Sequence, residues 1–164
     1  MKMRYKHPFE PVIFDDSEFL ILGTFPSIKS FENDFYYSHP KNQFWKILFT
    51  VFDEYAIDKN DKINFLKKHK IALWDIVESC ERKNSSDANL KNIKVHDLKE
   101  LKERYKKIKT IAFTGKKALY FYEKYHIELD DINICYLPSP SPAYAVMGIS
   151  EKTEIYKKCL LDLR

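Results

Sequence analysis

The hydrophobic positions change period along the chain, and the changes mark out alternating strands and helices. Phe19–Gly23 is a short β-rich run that ends in glycine. Asn42–Tyr55 carries Phe44, Trp45, Leu48, Phe49 and Phe52 at helical spacing, and Asp61–Lys70 repeats the pattern with Ile63, Phe65 and Leu66 on an inner face. Further strands are predicted at Ile71–Trp74, Thr110–Phe113 and Ile132–Leu137, and further helices at Val95–Lys107, Lys116–Tyr125 and Glu151–Leu163. The order β, α, α, β, α, β, α, β, α predicts an α/β fold with a mostly parallel sheet and helices on both faces. Such sheets place their sites on loops beyond the carboxyl ends of the strands, so those loops are where chemistry is sought.

Composition narrows the classes. The 164 residues favour one domain, 1–164, with one core. A 45% apolar share with 15% aromatics can bury enough surface to fold, which argues against disorder. The formal charge of +4 suits local contact with a few phosphates rather than a coat over nucleic acid. No apolar run follows the basic opening Met1–Lys6, and none approaches the ~20 residues of a membrane span, so a cytoplasmic protein with no membrane partner is expected. Cys80, Cys135 and Cys159 are scattered and odd in number, without Cys-x-x-Cys spacing. They read as reduced, mostly buried small residues, and neither a metal nor another cofactor is expected.

The strand ends carry the candidate chemistry. The first strand runs into Gly23-Thr24-Phe25-Pro26-Ser27, a stiffened turn that permits close backbone approach. Tyr36-Tyr37-Ser38-His39-Pro40-Lys41-Asn42 crowds polar and aromatic groups before a helix, where Asn42 could be a plain N-cap and one tyrosine packed while the other is exposed. His39 taken alone is more often a structural hydrogen-bonder than a catalyst. Asp75 closes the next strand, able to cap a turn or face a ligand. The polar stretch Cys80–Asp87 reads as a solvated loop in which Arg82 to Ser86 could meet a phosphate. Thr114-Gly115-Lys116 opens a helix without Walker spacing. Last comes Leu137-Pro138-Ser139-Pro140-Ser141-Pro142-Ala143-Tyr144-Ala145. Its alternating prolines pre-order a loop whose serines can donate to phosphate oxygens at low entropic cost.

Taken together, LILGTFPS, YYSHPKNQFW, ALWDIVESCERKNSSDANL, FTGKKAL and LPSPSPAYA resemble the uracil-DNA glycosylase superfamily, most closely its hypoxanthine-DNA (deoxyinosine) branch. The resemblance implies a three-layer α/β/α sandwich with a central four-stranded parallel sheet, and extrusion of a deaminated base from DNA into a pocket. It marks Asn42, the asparagine of HPxN, as the catalytic residue and Tyr37 as the ring that stacks on the flipped base. It puts Gly23, Phe25, Pro26, Ser27, His39 and Asp75 at the substrate. It puts Thr114, Lys116, Ser139, Pro140, Ser141 and Tyr144 at the DNA. Three departures stand out. Phe25 occupies the position of the water-activating Asp or Asn of related branches, Ser139 and Ser141 replace a histidine, and Thr114 stands where Asn is expected.

Asparagine has no useful pKa, so Asn42 would orient a water or hydrogen-bond the leaving base. A buried donor would read the carbonyl that hypoxanthine presents in place of adenine's amine, with Ser27, Asp75 and backbone amides as candidates. No lysine is placed as a Schiff-base nucleophile, so hydrolysis without strand cleavage by a monomer is expected. The alternatives are a uracil or mismatch-type glycosylase, a DNA- or nucleobase-binding protein on the same fold without catalysis, and an unrelated doubly wound domain. The last requires that Phe25, Tyr37, Asn42 and Ser139 not share a pocket.

Overall fold

The computed structural model of the protein describes residues 3–83, 90–125 and 128–162. In chain order the elements are β1 (Met3–Lys6), β2 (Phe19–Gly23), α1 (Ile28–Asn33), α2 (Phe44–Phe52), α3 (Lys59–Lys68), β3 (Ile71–Asp75), β4 (Val77–Arg82), β5 (Lys91–Val95), α4 (Leu98–Arg104), β6 (Thr110–Thr114), α5 (Lys116–Lys124), β7 (Asn133–Leu137) and α6 (Ile149–Asp162).

Strands β3, β2, β6 and β7 lie side by side in that order, all parallel. Every residue of β2 and β6 is buried, as expected for parallel strands covered on both faces. Successive side chains of β2 serve opposite layers. Phe19 and Ile21 join Phe44, Ile47, Leu48, Leu66, Tyr156 and Leu160 from α2, α3 and α6. Leu20 and Leu22 join Leu98, Ala118 and Phe121 from α4 and α5, with Val77 and Cys80 of β4. Each such side chain contributes about 1.5–3 kcal/mol by leaving water. The result is the expected α/β sandwich, with β2 at its centre. The register sets Gly23 against Asp75, Leu22 against Phe113 and Thr114 against Leu137, so all four carboxyl ends meet at one edge.

A second sheet, antiparallel and ordered β1-β4-β5, departs from the predicted order. Cys80, Glu81 and Arg82 belong to β4 rather than to a solvated loop, and residues 84–87 of that stretch lie outside the described residues. Arg82 is 2% exposed and unavailable to a phosphate. Its guanidinium donates to the Pro26 carbonyl at 2.6 Å and lies 5.0–5.3 Å from the ring centres of Tyr5, Phe25 and Phe31.

Several helix limits shift for local reasons. Val95 pairs with Val77 in β5, and α4 begins only after Asp97 caps it by accepting from Glu100 N–H. Asp58 caps α3 in the same way, so the helix begins at Lys59, two residues before the expected start. Asp53, in the left-handed conformation, ends α2 before Tyr55. Helix α6 starts at Ile149, and Leu163 lies outside the described residues. Cys80 and Cys159 are buried and Cys135 is half-buried. Among the described residues no helix is long and apolar enough to cross a membrane.

Candidate active site

A cleft of about 650 Å³ opens at the carboxyl edge of the parallel sheet. Sequence-chosen residues from every strand-end loop line it: Gly23 to Ser27, Tyr37, His39, Asn42, Asp75, Thr114, Ser139 to Ser141 and Tyr144. Phe25, Tyr37, Asn42 and Ser139 therefore share one pocket, which removes the reading of an unrelated domain. Ser30, Tyr36, Pro142 and Ala143 line it too. Lys116 does not; it is exposed at the start of α5.

Asn42 precedes α2, whose N-cap position is Gln43. Its Oδ1 accepts the Phe44 N–H at 2.9 Å, so part of the capping role is real. That bond fixes which end of the amide is oxygen and leaves the NH₂ group as the part available to a ligand. Tyr37 is held at φ 54°, a conformation that ordinary residues rarely adopt and that its surroundings must impose. Its ring stacks on Phe44, 3.9 Å between centres and 14° between planes, and its hydroxyl lies 3.0 Å from Thr114 Oγ1. Phe44 thus backs one face of the ring. Tyr36 is the packed member of the pair: its hydroxyl donates to the Glu10 carbonyl, and burial pushes its ionisation well above the ordinary range.

The proline loop is pinned from below. Tyr156 donates to Pro138 O at 2.7 Å, Gln43 N–H to Pro140 O at 2.9 Å, and Gly115 N–H to Leu137 O at 2.8 Å. Lys152, fully buried, donates to Gln43 Oε1 at 2.8 Å and to Ser141 O at 3.1 Å, tying the loop to the start of α2. Burial lowers its pKa. Ser139 Oγ and Ser141 Oγ each accept a backbone N–H two residues on, at 3.2 Å, so their own O–H groups remain donors. Val146, which follows the proline loop in sequence, is 89% exposed.

Asp75 is held from two sides. The imidazole of His7 places Nε2 2.7 Å from Asp75 Oδ2, and His96 Nδ1 lies 2.7 Å from the Asp75 carbonyl oxygen. His96 stacks on Trp74 at 3.7 Å, and burial pushes its pKa down to about 4, so it is neutral near pH 7. Three polar atoms converge over Gly23. A Cβ built there would lie 2.5 Å from Asp75 Oδ1, 2.9 Å from Tyr37 Oη and 3.4 Å from Thr114 Oγ1. Glycine is required by this close approach. Thr114 is buried beside Tyr37 and lines the cleft. Ser27 spends its hydroxyl oxygen on the Ser30 N–H as the cap of α1. Among the described residues no group of three or more His, Cys, Asp or Glu is placed to hold a metal.

Sequence reasoning missed His7 and Lys152. The available signal for His7 was the alternation of Tyr5 and His7 with Arg4 and Lys6, a period of two that marks a strand. Nothing local marked Lys152.

This fold and cleft have relatives. The model of the uracil DNA glycosylase superfamily matches residues 11–164. Two proteins named hypoxanthine DNA glycosylase, from Methanosarcina barkeri and Methanosarcina acetivorans, are each 34% identical over 115 residues, covering 69% of this chain and 73% of theirs. The solution NMR structure of a candidate uracil DNA glycosylase from Methanosarcina acetivorans is similar with a TM-score of 0.76 and 28% identity, over 94% of this chain and 98% of that one. With a match that spans nearly the whole sequence and a fold that agrees with it, the chain belongs to the uracil DNA glycosylase superfamily.

Proposed function

We propose that the protein is a monofunctional DNA glycosylase that hydrolyses the N-glycosidic bond of hypoxanthine flipped out of DNA, leaving an abasic site. The observation that carries this is the single cleft in which Tyr37, Asn42, Asp75, Thr114 and the proline loop converge. Its volume falls within the roughly 300–1,000 Å³ of small-ligand sites. A base inside a duplex is out of reach, and a deaminated, mispaired base costs less to extrude. Tyr37, backed by Phe44, supplies the surface on which the extruded ring stacks. The Ser139 and Ser141 hydroxyls meet flanking phosphates, and Val146, exposed just after the proline loop, enters the gap left behind.

Bond cleavage develops positive charge on the sugar and negative charge on the leaving base. The Asn42 NH₂ group, oriented by the bond from Phe44, supplies a fixed dipole where that negative charge grows. No lysine lines the cleft among the described residues, and the buried amine of Lys152 is occupied by Gln43 and Ser141. That arrangement supports the reading of hydrolysis without lyase chemistry. The open strand-end face suits a cytoplasmic monomer of one domain lying against a duplex. The relatives named hypoxanthine DNA glycosylase support hypoxanthine as the first substrate. Uracil is the runner-up, and the family description supports it.

The test is single-turnover base release from duplexes carrying one deoxyinosine or one deoxyuridine opposite guanine, scored as alkali-labile sites. Release at deoxyinosine is expected, with Asn42→Ala slower by roughly 10²–10³. Cleavage confined to deoxyuridine would select the uracil reading. Tight binding with no product, from folded protein in excess, would select a non-catalytic binder.

A further inference from the structure

His7 lies ahead of the segment matched by the family model. It is delivered by a pairing that the parallel sheet does not require. Strand β1 runs antiparallel to β4 with Lys6 opposite Ser79, and the His7 N–H donates to Glu78 O at 2.7 Å. The imidazole is 2% exposed and enclosed by the rings of Phe9, Phe25, Tyr36 and His96 at 5.2–5.9 Å. Nε2 meets Asp75 Oδ2, while Nδ1 faces the Phe9 backbone, 2.9 Å from O and 3.3 Å from N. A carboxylate oxygen brings no proton, so Nε2–H is the donor to Asp75.

That bond leaves the other oxygen, Oδ1, on the cleft floor over Gly23, beside Tyr37 Oη and Thr114 Oγ1. A carboxylate anchored in this way can only accept. Deamination makes the change such an oxygen detects. Adenine N1 and cytosine N3 carry lone pairs, whereas hypoxanthine N1 and uracil N3 carry hydrogens. An acceptor aimed at that edge bonds the deaminated base and repels the lone pair of its parent. Discrimination against a partner that leaves a buried polar group unpaired is the stronger kind.

We infer that His7 is the positioning residue for base reading: its bond to Asp75 Oδ2 fixes the carboxylate so that Oδ1 accepts the ring N–H of the deaminated base. The inference rests on the proposed base-excision reading for its substrate class, but assigns a group and an orientation which that reading leaves open. It also exchanges the expected donor to the base carbonyl for an acceptor at the adjoining nitrogen. By this contact alone any base with a ring N–H at that edge passes.

The test separates recognition from cleavage. Duplexes carry 2′-fluoro-2′-deoxyinosine or 2′-fluoro-2′-deoxyadenosine, which resist cleavage, opposite an abasic-site analogue so that neither base is paired. Affinities are measured for wild type, for His7→Phe, which keeps a ring and removes the donor, and for His7→Gln, which returns an amide donor toward Asp75. The wild type is expected to prefer inosine by about tenfold or more, the size of one hydrogen bond to a charged group. His7→Phe should erase the preference and His7→Gln should restore most of it. Should His7→Phe not fold, His7→Asn withdraws the donor facing Asp75 while keeping a polar group toward Phe9. An undiminished preference in a folded donor-less variant would overturn the inference. So would an equal loss for both bases that His7→Gln does not repair. Release assays on the same proteins tell the two readings apart. No cleavage with a His7-dependent preference sinks the glycosylase and keeps the reader; cleavage without that preference does the reverse.

Discussion

Gly23→Ala offers a compact test of the pocket floor. The added methyl would lie 2.5 Å from Asp75 Oδ1 and 2.9 Å from Tyr37 Oη. To reach an ordinary contact distance of 3.4 Å, the carboxylate must retreat by about 0.9 Å. It cannot do so freely, because its other oxygen is bound to His7 and the His7 ring is enclosed on its faces and edges. Tyr37 is similarly held between Phe44 and Thr114. Overpacking of this kind costs about 1–3 kcal/mol of stability. Misplacing the reading edge by about 1 Å costs on the order of 10²-fold in rate. The assay is single-turnover release of hypoxanthine from a deoxyinosine duplex, paired with a thermal melt to show that the variant is folded. Gly148→Ala, where a Cβ meets nothing within 4 Å, should release base at the wild-type rate. A folded Gly23→Ala within about threefold of wild type would refute the placement of the base edge over Gly23.

Two further predictions probe the supports. Lys152→Met keeps the stem but removes the two hydrogen bonds by which Lys152 bridges the proline loop and Gln43, each worth about 1.5–3 kcal/mol in a buried setting, and leaves the Gln43 N–H bond to Pro140 O. Affinity for a duplex with an abasic-site analogue, read by fluorescence anisotropy, should fall about tenfold and the melting temperature should drop, since Gln43 Oε1 and Ser141 O lose their donor; unchanged affinity would show that the loop is held without Lys152. His96 is neutral in the fold, its pKa pushed down by burial to about 4 from 6.5, so the unfolded chain binds the extra proton first as pH falls. Its contribution, on the order of 3 kcal/mol, is present above about pH 6.5 and lost on descending toward about pH 4. Urea titrations should find a flatter acid slope in His96→Asn, which keeps a donor toward Asp75 O; parallel slopes would place the acid sensitivity elsewhere.

The sequence by itself determined the parallel sheet and most of the cleft. Phe19 to Leu22 is apolar at every position and closes on Gly23, a short run that fits a strand covered on both faces. Once β2, β3, β6 and β7 are placed, parallel connection brings their carboxyl ends together, so Gly23, Asp75, Thr114 and Ser139 had to be neighbours. What tertiary structure alone decided is who touches whom across the chain. Arg82 reads as solvated because charged residues almost always are, yet three aromatic rings from β1, the first loop and α1 enclose it. The role of Lys152 depends on Gln43 and Ser141, and that of His7 on Asp75, 68 residues away. Local periodicity reports whether a position is covered. It carries no record of the partner that covers it, because pairing of β1 with β4 is fixed by global packing and not by any neighbour in sequence.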